Sequence, residues 1–302
     1  MRITINGSPS LLAGSLDDVR AHAAGAHVDG FGGYWLAQTG LVDALTAFCA
    51  IAPDTGTMEL GTAVIPTFPR HPTMLAGQAL STQAVVGGRL ALGIGLSHKP
   101  AVEDRLGMAF ERPVRHLMDY LEILQSLLET GGADHTGEVF SAHMEAGGRP
   151  TDTPPAVLVA ALGEQTLRVT GRRTDGTVLW LVGPKTIGSH VSPRIREAAA
   201  EVGRPDPRVV CSLPITVADD EAEVRELHSM LLAGYDELPS YRAMLDREGA
   251  DKVGDVSVVG NEDSVREQLA SIAAAGATEF AAAEIGRNPD ESARTRELLK
   301  SL

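Results

Sequence analysis

The sequence predicts a (β/α)₈ TIM barrel, an α/β fold in which eight strand–helix pairs close on themselves. Three observations carry that prediction. Apolar runs of strand length, rich in small and β-branched residues, alternate with helical stretches along all 302 residues. Met58–Ser97 shows the unit in full. An apolar run (Met58–Ile65) meets a loop with Pro66, Pro69 and Pro72, then a helical stretch, Gly87-Gly88 and a second apolar run, Leu90–Ile94. Such runs suit strands buried on both faces of a parallel sheet. Finally, no duplicated segment, linker or low-complexity tract divides the chain, so one domain spans 1–302. A doubly wound open sheet is the alternative.

In chain order, Arg2–Ile5 is the first strand, ended by Asn6-Gly7-Ser8-Pro9. Ser15–Ala24 is a helix with Ser15 as N-cap and Asp17-Asp18 in its first turn, where the helix dipole favours them. Gly33–Ala37 is the second strand and Val42–Ile51 a helix. Met58–Ile65 is the third strand, and Pro72 opens the next helix because proline tolerates the first turn. Leu90–Ile94 is the fourth strand. Arg112–Glu129 is a long amphipathic fourth helix, with Leu117, Leu121, Leu124 and Leu128 on one face. Gly131–Pro155 is too long for a plain connection and predicts a partly structured excursion over the barrel mouth, between helix four and strand five. Strand five is Ala156–Ala161 with helix Glu164–Arg173, and strand six is Thr177–Leu181 with a helix from Pro184 to Glu201. Strand seven is Val209–Val217, followed by helix over 219–234 and on to Arg247. A helix over Asn261–Ala275 precedes strand eight (Thr278–Ile285) and a closing helix, Pro289–Leu302.

Composition narrows the function. The formal net charge is −14, which argues against nucleic acid or an anionic membrane as bulk partner while allowing a local basic pocket for an anionic cofactor. No apolar run reaches membrane-spanning length, and the N-terminus lacks a signal-peptide layout, so a cytoplasmic protein is expected. Cys49 and Cys211 sit in apolar runs and read as buried free thiols. The histidines and cysteines form no metal-ligand spacing, and no G-x-S-x-G elbow, P-loop or strand-linked G-x-G-x-x-G is present.

Chemistry in such a barrel belongs to the loops at the strands' C-terminal ends. Arg70-His71 follows strand three, and a guanidinium beside an imidazole suits an anion or a ring edge; the same pair could simply cap the next helix. Ser97-His98-Lys99 ends strand four, and His98 is the best candidate proton donor or substrate ligand, since imidazole titrates near neutrality. Gly163 and Gln165 open the helix after strand five, where free backbone N–H groups can approach a phosphate. Gly183 and Lys185 repeat that arrangement after strand six and add a cation. Gln38 ends strand two.

Several stretches together resemble the luciferase-like oxidoreductases, and most of all the branch that uses the deazaflavin coenzyme F420. They are G-F-G-G-Y-W-L-A-Q ending at Gln38, L-G-T-A-V-I-P-T-F-P-R-H-P and G-G-R-L-A-L-G-I-G around strands three and four, E-R-P-V-R-H-L-M-D-Y-L, and V-L-V-A-A-L-G-E-Q-T-L-R-V-T-G-R-R-T-D-G-T-V-L-W. The resemblance implies a luciferase-like barrel with a non-proline cis peptide at Ala63-Val64, against whose bulge the deazaflavin ring packs. It implies that the loops at Gly163–Gln165 and Gly183–Lys185 hold the cofactor's phosphate. The chain departs from the pattern in two places. Leu162-Gly163 stands where many relatives have two glycines, with Glu164 adding a negative charge. Gln38-Thr39 stands where an acidic or imidazole pair is common. The implied activity is hydride transfer to or from a small organic substrate, with His98, and Gln38 beside it, polarising or protonating that substrate. The alternatives are a flavin mononucleotide (FMN) monooxygenase of the same fold, or a barrel that binds a flavin without catalysis. A homodimer is a further implication.

Overall fold

The computed structural model describes residues 1–13 and 15–302. The first half of the sheet comprises β1 (Arg2–Asn6), β2 (Gly33–Leu36), β3 (Glu59–Thr62) continued by β4 (Ile65–Pro66), and β5 (Leu90–Gly95). An antiparallel hairpin, β6 (Ala133–Thr136) and β7 (Ser141–Met144), stands apart from it. The second half comprises β8 (Ala156–Ala160), β9 (Gly176–Trp180), β10 (Arg208–Val217), a short β11 (Val258–Gly260) and β12 (Glu279–Glu284). All pairings in the large sheet are parallel, and β12 pairs with both β10 and β1, so the sheet closes. With β3 and β4 forming one stave, the barrel has eight staves, as the alternation predicts.

The helices between staves are α1 (Ser8–Ala13), α2 (Leu16–Val28), α3 (Ala44–Ile51), α4 (Pro72–Val85), α5 (Pro113–Thr130) and α6 (Glu164–Arg173). They continue with α7 (Pro184–Thr186), α8 (Ser192–Ala200), α9 (Glu221–Leu232), α10 (Pro239–Glu248), α11 (Glu262–Ala274) and α12 (Pro289–Lys300). Ser15 caps α2 through a capping box with Asp18. Among the described residues no helix is long and apolar enough to cross a membrane. Cys49 and Cys211 are free thiols, Cys211 fully buried and Cys49 half-buried.

Four local readings change. The Asn6-Gly7-Ser8-Pro9 stretch expected to end the first strand also opens a helix, α1, with the Asn6 Oδ1 accepting from the Ser8 amide at 2.9 Å. The single helix expected from Pro184 to Glu201 is broken by a wide turn over 187–191, and Pro193 then opens α8 without an amide to continue the ladder. β11 was not anticipated, because three residues pairing only with the last three of β10 leave too short a pattern. The excursion over 131–155 does not cover the mouth. Its hairpin packs along α5, pinned where the buried Asp119 carboxylate accepts from the Val139 amide at 2.9 Å and from His135 at 3.2 Å.

Two apolar layers result. One lies between barrel and helices. The other fills the barrel itself with Trp35, Ala91, Leu158, Val178, Val210 and Ala281. Trp35 fits because Gly61, on the neighbouring stave, has no side chain where the indole lies; a Cβ there would overlap the ring. The indole Nε1 donates to Glu279 at 2.7 Å and so ties this layer to the polar groups at the strands' N-terminal ends.

Candidate active site

The stave formed by β3 and β4 carries one residue more than its partner. Gly61 pairs with Ala91 and Ile65 with Ile94, so the chain between must bulge. The Thr62 hydroxyl fills the broken ladder, donating to the Gly93 carbonyl at 2.7 Å and accepting from the Gly93 amide at 2.8 Å. Gly93 has no alternative here, since a Cβ would overlap the Thr62 carbonyl oxygen. The Ala63-Val64 peptide within the bulge is cis, as the resemblance implies. On its other side the bulge is held by β2 and the residue group after it: the Ala63 amide donates to the Leu36 carbonyl at 2.8 Å, and the Gln38 amide to the Val64 carbonyl at 3.2 Å. Ala63 and Val64 stay half-buried above the barrel's apolar filling, which leaves a small apolar platform facing the mouth.

Two residues past Gly95, the chain turns at Ser97, which adopts a left-handed φ of 62°, and presents His98. The half-buried His98 ring makes no hydrogen bond to a described residue. It lies against two tyrosines from the α9–α10 region, 5.4 Å from the Tyr241 ring and 6.4 Å from Tyr235. Trp180, at the end of β9, meets Tyr235 edge-on at 6.4 Å. Burial lowers the His98 pKa below the ordinary imidazole value of 6.5, so the ring is uncharged at neutral pH. An uncharged imidazole without a protein partner, walled by aromatic rings, can exchange a proton with a ligand oxygen or nitrogen.

Other predicted residues have structural work. The Gln38 side chain closes the loop before α3, accepting from the Ala44 amide at 2.9 Å and donating to the Val42 carbonyl at 3.1 Å. The Arg70 guanidinium pairs with Asp43 at 2.9 Å and donates to Gln78 at 3.0 Å, tying α3 to α4. His71 caps α4 through Nδ1, which bonds the Thr73 hydroxyl at 2.8 Å. The capping alternative thus describes His71, while Arg70 ties two helices together. His116, buried on α5, bonds the Thr67 hydroxyl at 3.0 Å and stacks on Phe68 at 3.9 Å.

The two loops expected to hold phosphate differ from each other. After β8, Gly163 caps α6 without a side chain, and Gly163, Glu164 and Gln165 are exposed. The Glu164 carboxylate is drawn aside by Arg194 at 3.1 Å, which offsets the unfavourable charge noted in the sequence. Among the described residues, the Glu164 and Gln165 amides are free for an anion, so this helix end fits a phosphate. After β9, Gly183 is buried, and the amides of Lys185 and Thr186 already donate to the carboxylate of Glu248 on α10, at 3.1 and 2.8 Å. That loop does not fit a phosphate as it stands.

The sequence reading missed Thr62, Gly93, Tyr235, Tyr241 and Glu248. Glycine inside an apolar strand pattern is a recognised mark of a bulge or close approach, and would have found Gly93. The tyrosines and Glu248 lie on segments that read only as helix, and nothing local marks them. A cavity of about 440 Å³ at the opposite end of the barrel, lined by Arg2, Glu59 and Arg208 among others, is a poorer candidate site, because its charges hold one another.

The bulged stave and His98 stand at the C-terminal end of a closed parallel barrel, the end at which such barrels carry their sites. The family model for luciferase-like monooxygenases matches residues 3–279, and the chain belongs to that family. The uncharacterized protein Rv1360 of Mycobacterium tuberculosis is 27% identical over 257 residues, spanning 79% of this chain and 75% of its own length. An F420-dependent secondary alcohol dehydrogenase, solved with an F420-acetone adduct, superposes with a TM-score of 0.80 at 14% identity, over 98% of this chain and 97% of that one. The oxygenating constituent of 3,6-diketocamphane monooxygenase from Pseudomonas putida, solved with FMN, gives a TM-score of 0.78 at 18% identity, covering 99% and 96%. At these identities the structural likeness is one of fold.

Proposed function

We propose that the protein is an F420-dependent oxidoreductase that moves a hydride between the deazaflavin and a small, mainly apolar organic substrate. One observation carries the reading. The platform at Ala63-Val64 and the unpartnered His98 ring stand at the ends of adjacent staves, so a planar ring on the first would present its open face beside the second. The deazaflavin, when bound, supplies or takes up the hydride at its central ring carbon.

The chain's own residues do the rest. Val64 supports one ring face, and Gly95 leaves room beside it: a Cβ there would press against the Val64 side chain. Trp180, Tyr235 and Tyr241 give the mouth an aromatic wall that excludes water and disfavours charged substrates. His98 handles the proton. In the oxidative direction its uncharged ring accepts the proton of a substrate hydroxyl as hydride leaves the same carbon; in the reductive direction the imidazolium returns it. The free amides at Glu164 and Gln165 suit the cofactor's phosphate.

The test is a fluorescence titration of the purified protein with F420 and with FMN. Tight binding of F420 and weak binding of FMN is the expected result. Preference for FMN would move the reading to an oxygen-using monooxygenase, and binding of neither would remove the cofactor assignment.

A further inference from the structure

Helix α10 ends by docking onto the loop after β9. The Lys185 and Thr186 amides donate to Glu248 Oε1 and Oε2 at 3.1 and 2.8 Å. The Lys185 Nζ donates to the Glu248 carbonyl at 3.2 Å, and the Thr186 hydroxyl to the Met244 carbonyl at 3.2 Å. Lys185 and Thr186 therefore turn both their amides and both their side chains toward α10. Gly183 makes this possible, because a Cβ there would overlap the Glu248 carboxylate. The features that read in the sequence as an anion cradle, a glycine with following amides and a lysine, are all present. Their anion is part of the chain.

We infer that Glu248 is a specificity-determining residue for the ligand's phosphate: it occupies the anion position of the loop after β9, and a phosphate-bearing ligand gains nothing from that loop unless the carboxylate leaves. Two anions cannot share the same pair of amides, and their like charges repel at contact distance. Phosphate recognition then rests on the α6 end alone, and removing the Glu248 charge opens a second set of donors. The inference rests on the flavin-type reading of the mouth for its ligand, but the occupancy of the cradle can be tested separately.

The experiment compares two pairs: F420 with the ribityl deazaflavin that lacks its phosphate, and FMN with riboflavin. Dissociation constants are measured by fluorescence for the native protein, Glu248→Gln and Glu248→Ala, and melting temperatures are measured with and without inorganic phosphate. The expected result is a preference for the phosphorylated member that rises at least tenfold in Glu248→Ala and less in Glu248→Gln, with the affinity for the unphosphorylated member unchanged. Inorganic phosphate should raise the melting temperature of Glu248→Ala and not that of the native protein. Equal preference in all three proteins, with melting indifferent to phosphate, overturns the inference and leaves Glu248 as a tie between α10 and α7. If no ring ligand binds any of the proteins, the flavin-type reading fails by itself, and the phosphate-dependent melting still decides the question of Glu248. Should Glu248→Ala not fold, the near-isosteric Glu248→Gln carries the same comparison.

Discussion

At the N-terminal end of the barrel Arg2, Glu59, Arg208 and Glu279 hold one another, while at the C-terminal end the His98 ring meets no hydrogen-bonding partner among the described residues. The same staves build both ends. At the first, Glu279 is buried and accepts from Arg208 at 2.9 Å, from the Thr4 hydroxyl at 2.9 Å and from the Trp35 indole at 2.7 Å. Burial alone would raise the Glu59 pKa, but Arg208 and Arg2 outweigh it and hold the carboxyl below its ordinary range. At the second, burial lowers the His98 pKa and nothing opposes it. Satisfied charge marks the end that keeps the barrel closed, and unsatisfied polarity marks the end at which the proposed ligand would bind.

The sharpest way to break this contrast is to unbalance the first end. Arg208→Ala leaves the Glu279 carboxylate, 3% exposed, without its nearer guanidinium and with only Arg2 at 3.8 Å. Removing one partner of a buried pair costs about 3–5 kcal/mol, and urea unfolding should show a loss of that size. A loss near zero would mean that water or a proton replaces Arg208 easily, and the end would not be the closed plug described. The matching change at the mouth is His98→Ala. It should cost about 1 kcal/mol in unfolding, the ordinary size for a single substitution that strands no buried charge, and lower turnover on the order of 10²-fold, the low end for a lost general acid or base. In the oxidative direction the native rate should fall as pH drops through a pKa below 6.5, because protonated His98 cannot accept a proton. Full turnover in the variant would remove His98 from the chemistry.

How much of each end was legible follows from the range of the interactions that make it. The staves and helices were readable because apolar runs and caps are local: Ser15, Pro72 and Asn261 mark helix starts by residue type alone. His98 was readable as a strand-end imidazole. The functions of Arg70, Gln38 and Gly183 were not, because each depends on a partner far along the chain: Asp43, the loop before Ala44, and Glu248. A guanidinium or a glycine-led turn looks the same in sequence whether it awaits a ligand or is already engaged. The resemblance found the bulge at Ala63-Val64, and only register and contacts showed that Thr62 and Gly93 hold it.

The platform itself can be tested by Gly93→Ala. The added methyl would overlap the Thr62 carbonyl, so either the bulge or β5 must shift. Overpacking of this kind costs about 1–3 kcal/mol. Ring-ligand affinity should fall with it, since the support moves. A stable variant with native affinity would show that the bulge is not what the ligand rests on.

The smallest expected effect separates structural from ligand-binding cations near the mouth. Arg70 sits at the C-terminal end of a stave, as a cofactor-binding arginine would, yet its guanidinium and Gln78 both bond Asp43, the N-cap of α3. Burial pushes the Asp43 carboxyl up, and the bonds from Thr46 and Arg70 outweigh it, holding the pKa below the ordinary range. Asp43→Ala removes a helix cap and frees Arg70 at once. Loss of the cap costs about 1 kcal/mol. If Arg70 only joins α3 to α4, ligand affinity should stay within about twofold, well under the tenfold that corresponds to about 1.4 kcal/mol. If Arg70 is held back from an anionic ligand, freeing it should tighten binding of the phosphorylated cofactor. Stability and affinity would then move in opposite directions, a pairing that a purely structural arginine does not produce.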